Sequence, residues 1–220
     1  MAEGKRSVSV TRQALGWLAL ALVGFGVLRI AHSQQSPAGP PSPAVAEYLP
    51  PVPPPGSVFA GPLDFSEPVE VDIPDVGIRA QVMNVGMGSD GTVGVPPLDQ
   101  AQKAAWYDKG PSPGEAGPAV IDAHVDSREI PGFRGAFYNL GEVQPGEQIR
   151  VLRADHVVTV FTVDSVQQTP KAKFPTSRVY GSVSYAALRL ITCGGDFDDT
   201  TGSYLDNTIV YAHLSETDQS

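Results

Sequence analysis

The chain of 220 residues contains one cysteine, Cys193, and four histidines. A single cysteine excludes an intramolecular disulfide and every multi-cysteine metal site. Basic side chains are in the minority, 15 Lys and Arg against 24 Asp and Glu, for a formal net charge of -9. That balance argues against nucleic acid as a partner, since little is present to displace counterions from a phosphate backbone. Long helical patterns are scarce, because 21 prolines and 23 glycines interrupt them. What is present, 41% hydrophobic residues, suffices for the core of one domain of ordinary size.

Only one long apolar run occurs, Ala14 to Leu28, preceded by Lys5, Arg6 and Arg12 and followed by Arg29. A basic flank before an apolar run marks membrane targeting with the N-terminus inside. Fifteen residues rise only about 22 Å as a helix against a hydrocarbon core of roughly 30 Å, so flanking residues must join the span and the arginines must snorkel. The expectation is a cytoplasmic basic N-terminus at 1–13 and a transmembrane anchor at 14–31. A cleaved signal peptide, ending at the small residues around Ser33, is the alternative. Both readings export the rest of the chain, and the first makes it a single-pass protein of the cell membrane with its domain extracytoplasmic.

Ten of the prolines fall between Pro37 and Pro62. Such density cannot sustain helix or sheet ladders, so residues 32–67 read as a Pro-rich extracytoplasmic linker of polyproline character. A folded domain is expected over 68–214, followed by a polar tail at 215–220. Within it, strands are read at 69–73, 78–85, 119–123, 148–152, 157–164, 188–192 and 208–212, and short helices at 98–107 and 182–187. Seven strands with few helices suggest a mainly β barrel or sandwich.

A cysteine nucleophile needs a thiolate, an acid/base neighbour and donors for a tetrahedral oxyanion. Cys193 ends an apolar strand and precedes Gly194-Gly195, where the backbone opens to an approaching substrate. A buried cysteine packing as a small hydrophobe fits the same residues equally well. Among the histidines, His32 lies at the anchor's edge, His156 opens a strand after a turn, and His213 closes the terminal strand without a polar cluster. His124 follows a strand directly and begins the polar segment His-Val-Asp-Ser, which favours it as acid/base.

The segments AVIDAHVDS (119–127) and LRLITCGG (188–195) resemble the sortase patterns in which one strand ends in Gly-His, here Ala123-His124, and another carries Leu-x-Thr-Cys. With AFYNLGEVQPGEQIRV (136–151) and YLDNTIVYA (204–212), they are similar in particular to the class F sortases of high-GC Gram-positive bacteria. The resemblance implies an eight-stranded sortase β-barrel and no cofactor or metal. It also implies a thioacyl mechanism, in which Cys193 attacks the Thr–Gly bond of an LPXTG-type sorting signal on a secreted protein. His124 protonates the leaving amine, and an amine nucleophile on a peptidoglycan precursor then resolves the thioester.

The family's arginine on the strand after the cysteine is missing, and the register places Asn207 there. Asn207 as oxyanion donor, an arginine from elsewhere such as Arg178 or Arg128, and loss of activity are the three explanations. Two rival functions follow: a catalytically weak module that binds sorting signals, and a cysteine hydrolase without transfer. Thr192 is a candidate substrate contact. Asp126 reads as an Asx-turn rather than a third catalytic member, and Asp196, Asp198 and Asp199 as solvated surface rather than a calcium site.

Overall fold

The computed structural model describes residues 39–44, 52–88 and 91–219. The expected N-terminal segment and anchor, and His32 with them, lie outside the described residues. Among the described residues no helix is long and apolar enough to cross a membrane.

Burial at period two starts the fold. In β1 (Pro68–Ile73) Val71 and Ile73 are enclosed while Glu70 and Asp72 are only partly covered, and β2 (Ile78–Val85) repeats this with Ile78 and Ala80 inside. The chain continues through β3 (Ala104–Tyr107), β4 (Gly117–Ala123), β5 (Gln148–Arg153), β6 (Val157–Pro170), β7 (Ala186–Asp198) and β8 (Ser203–Gln219). These eight close into a barrel in the order β1-β2-β3-β4-β7-β8-β6-β5, which leaves no free sheet edge. Two neighbouring pairs are parallel, β2 with β3 and β4 with β7. Inside, Ile121 of β4, Leu188 and Leu190 of β7 and Val210 and Ala212 of β8 belong to one continuous core.

Three sequence expectations are corrected. The helix read at 98–107 is a 3-10 turn at Leu98–Gln100 followed by β3, whose Ala104, Ala105 and Trp106 are buried on both faces between β2 and β4. A strand covered on both sides shows no alternation, so its apolar run passes for helix. No helix forms at 182–187; the α-helix lies upstream, α1 (Thr176–Tyr180), and stops at Gly181, where a Cβ would strike the Ser177 carbonyl oxygen. Ala186 and Ala187 already belong to β7, paired with Gly117 and Pro118. Finally, Ser215 to Gln219 are not a tail, because β8 continues through them against β6.

The last part of the expected linker is laid against the barrel. The Ala60 N–H donates to the Leu214 carbonyl at 3.1 Å and the Leu63 N–H to Gly114 at 2.8 Å. Phe59 packs on Tyr185 and His213, and Phe65 on Trp106. Arg153, 2% exposed, reaches the carbonyls of Asp64 and Pro113 and pairs with Asp155 at 2.6 Å. The folded domain therefore begins near Ser57 rather than Pro68. We expect Arg153→Met to cost roughly 2–4 kcal/mol in chemical denaturation, because it strands buried carbonyls and a carboxylate. Limited proteolysis is expected to cut between residues 57 and 67 in this variant well before it does so in the wild type.

Candidate active site

Side chains of the strands alternate between the barrel interior and its outer face. With Leu188 and Leu190 inside, Arg189, Ile191 and Cys193 of β7 face outwards. The same parity puts Val120 and Asp122 of β4, and Ile209 and Asn207 of β8, on that outer face. Val120, Ile191, Ile209 and Tyr211 form a second apolar cluster, roofed by Val179 of α1 and by Phe174. Cys193 lies at the end of this patch, half-buried and with a free thiol.

Its neighbours follow from register. Cys193 pairs directly with Asn207 across β7 and β8. The β4–β7 ladder ends at Asp122 opposite Ile191, and two residues further on each strand carry His124 and Cys193. Adjacent strands lie about 4.8 Å apart, which brings the two backbones together at the strand ends. The His124 Nε2 lies 2.6 Å from the Pro96 carbonyl oxygen. An imidazole nitrogen facing a carbonyl is the protonated one, which leaves Nδ1 to exchange protons. Among the described residues no hydrogen bond joins the imidazole to the thiol.

After Cys193 the chain needs its two glycines. A Cβ on Gly194 would lie 2.7 Å from Thr208 Oγ1, and Gly195, at φ 74°, would meet the Asp206 carboxylate. The ladder shifts between Gly194 and Phe197, so the glycines form an irregularity that bends β7 beside the thiol.

The Sortase domain family model matches residues 71–215. The chain belongs to the sortase family. It is a sortase-type cysteine transpeptidase, and the family's substrates are proteins bearing sorting signals, resolved by amine nucleophiles. In fold it is similar to the SrtA sortase from Actinomyces oris, at 19% identity and TM-score 0.51, covering 76% of this chain and 90% of that one. It is also similar to a lid mutant of sortase A from Corynebacterium diphtheriae, at 16% identity and TM-score 0.51, covering 68% and 70%. No curated protein matches it.

Several sequence-selected residues of this sortase have structural work. The Thr192 hydroxyl, buried, donates to the Ala123 carbonyl at 2.7 Å and so clamps β7 to the residue before His124. Asp126 accepts a 2.5 Å bond from the Tyr204 hydroxyl on β8, while it is the Ser127 hydroxyl oxygen that accepts the local turn bond, from the Glu129 N–H. Asp198 takes the Thr200 N–H and the Thr201 hydroxyl in the β7–β8 turn. His156, at φ 66°, lies in the turn between β5 and β6. His213 does have a polar partner, Asp164 at 2.6 Å, but it pairs with Ala187, about 20 Å along β7 from the thiol.

Two residues that the sequence did not single out act on the thiol. Burial pushes the Cys193 thiol up, the Lys171 ammonium opposes that rise, and the carboxylates of Asp122 and Asp126 add to it. Asp122 is itself pushed up to about 7 by burial, with Lys171 opposing. Neither Arg178, exposed on α1, nor Arg128, exposed after β4, figures among the groups acting on the thiol. The signal available beforehand for Asp122 was its parity with His124 on one strand. Lys171 gave none, since it enters only through the fold.

A carboxyl whose pKa is higher folded than unfolded favours the fold while protonated, and this contribution is lost as pH rises from its ordinary value of 3.8 through about 7. Asp122→Asn is therefore expected to melt above the wild type at pH 8 by roughly 3–6 °C, each kcal/mol being worth about 2–4 °C in a domain of this size. The difference should close by pH 4, and scanning calorimetry at the two pH values measures it.

Proposed function

We propose that Cys193 is the nucleophile and His124 the acid/base of a class F sortase, anchored in the cell membrane by residues 14–31 with its domain outside. Its substrate is the LPXTG-type sorting signal of a secreted protein. What supports the catalytic assignment is that a half-buried free thiol and His124 each stand two residues beyond the last rung of the β4–β7 ladder.

The chemistry runs in two steps. The thiolate sulfur of Cys193 bonds to the carbonyl carbon of the signal's Thr, the oxyanion forms and collapses, and the Thr–Gly C–N bond breaks. The departing amine takes its proton from Nδ1 of His124, with the Nε2 proton held by the Pro96 carbonyl. An acceptor amine, on a peptidoglycan precursor, then attacks the thioester, returns a proton to His124 and releases the thiolate. Asn207, opposite Cys193, offers a neutral amide to the oxyanion. The class assignment rests on the Cys-Gly-Gly and Tyr-Leu-Asp-Asn segments, and the membrane assignment on the basic residues ahead of the apolar run.

The full-length chain in detergent, incubated with a panel of Leu-Pro-x-Thr-Gly peptides, should gain the mass of a thioacyl adduct on Cys193. Cys193→Ala should gain none. His124→Ala should lose about 10²–10⁴ of turnover to an added amine. Near wild-type turnover in His124→Ala would remove the acid/base assignment, and hydrolysis unaffected by amine would remove the transfer. Asn207→Ala should slow single-turnover acylation by about 10² if its amide is the main oxyanion donor, with peptide affinity unchanged.

A further inference from the structure

The proposed nucleophile lies in surroundings that oppose its ionisation. Its partner on β8, Asn207, is neutral; besides His124 at the end of β4, the titratable groups on the strands around it are acidic or phenolic: Asp122 on β4, Asp126 just beyond it, and Tyr204 on β8. Asp206, next to Asn207, is taken up by the Gln168 amide at 2.8 Å. Tyr180 of α1 faces Asp122, with Tyr107 of β3 beside it. A thiol half-buried among carboxylates stays protonated unless a cation answers them.

One cation is built into this face. Thr169 on β6 pairs with Asn207 on β8, and Asn207 pairs with Cys193 on β7, so the three residues form a single row across the sheet. Pro170 ends β6, and Lys171 begins the 3-10 turn Lys171–Lys173 that follows directly on it, so the side chain leaves the sheet at the end of this row. Its Nζ donates to the hydroxyl of Ser203 on β8 at 2.8 Å. Among the described residues no carboxylate lies within ion-pair distance of Nζ. A neutral hydroxyl therefore orients the ammonium without cancelling its charge. An ammonium has three donors, and one is used on Ser203.

From this arrangement we infer that Lys171 is a further catalytic residue, its ammonium favouring the thiolate of Cys193 over the thiol and then meeting the oxyanion of the tetrahedral intermediate in place of the absent arginine. The oxyanion part rests on the transpeptidation proposed above, and the thiolate part does not. The charge arrives from β6 rather than from the strand after the cysteine, and the tether to Ser203 fixes it across β8. The electrostatics agree with the geometry: burial pushes the Cys193 thiol up, and Lys171 is the leading group that opposes that rise. No proton or electron leaves the balance: the thiol proton passes to His124 or solvent, and Lys171 stays protonated throughout.

The test uses the full-length chain in detergent, where Cys193 is the sole thiol, so alkylation by iodoacetamide reports on it alone. The pH midpoint of the alkylation rate should rise by about one unit or more in Lys171→Met, since one unit corresponds to a tenfold change in the thiolate equilibrium. Lys171→Arg should keep the midpoint near that of the wild type, and Ser203→Ala should fall between. Single-turnover acylation of Lys171→Met by a sorting-signal peptide should drop at least about tenfold at pH 7 while peptide affinity holds. Equal midpoints in the wild type and Lys171→Met would overturn the inference, as would an Arg variant that shifts as far as the Met variant. If no peptide acylates the wild type yet the midpoint shift persists, the sorting-signal reading fails and the thiolate role of Lys171 stands.

Discussion

The hydrogen bond from the Thr192 hydroxyl to the Ala123 carbonyl is the constraint on which the site depends. β4 and β7 run parallel, and their ladder stops two residues short of His124 and Cys193. Beyond the last rung β4 ends while β7 runs on paired with β8 alone, so the sheet itself no longer keeps His124 in step with Cys193. The buried Thr192 side chain continues the pairing by one residue and fixes the strand ends at the point where their side chains are needed. A valine there would have nearly the same shape and would leave a buried carbonyl without its donor.

Charge on the outer face is handled at two ends of one apolar patch. At one end Arg189, 1% exposed, stacks over Tyr211 and gives hydrogen bonds to the Leu188 and Ala212 carbonyls. Asp164 and His213 pair beside it under Phe59. These groups are enclosed and mutually satisfied, apart from one Asp164 oxygen. At the other end the thiol and Lys171 remain only half covered. Between them, Ile191, Ile209, Val120 and Val179 keep water off the intervening sheet and lower the local dielectric, which strengthens every charge at the patch's margin. The barrel thus buries a cation permanently four residues before the cysteine and keeps another within reach of solvent beside it.

The sequence revealed what repeats at period two or sits at a strand end. The positions of Cys193 and His124 at the ends of apolar stretches were legible, as was that of Asn207 at the start of one, because those stretches alternate between two faces. β3 was not, since Ala104, Ala105 and Trp106 are covered on both sides and carry no alternation. The polar extensions of β6 and β8 were also hidden: Gln167, Gln168 and Thr169, or Thr217 and Asp218, look like loop until paired with each other's strand. That blindness concealed Lys171, because its place beside the thiol depends on β6 reaching Pro170. His213 misled for a related reason, as its partner Asp164 lies 49 residues away and only the β6–β8 pairing joins them.

The docking of residues 57–66 has a mechanical consequence. The chain approaching from Gly56 is held by Ala60 on β8, by Leu63 on Gly114 and by Asp64 on Arg153, three attachments on separate elements. A tensile load applied at the N-terminal side is divided among these attachments before it reaches any barrel ladder. The Ala60 attachment meets β8 at Leu214, seven residues from Asn207 on the same strand. Strain that breaks these attachments would peel away a short strap and leave the rungs around the thiol unstretched, so the reactive end of the sheet is insulated from a pull applied ahead of Ser57.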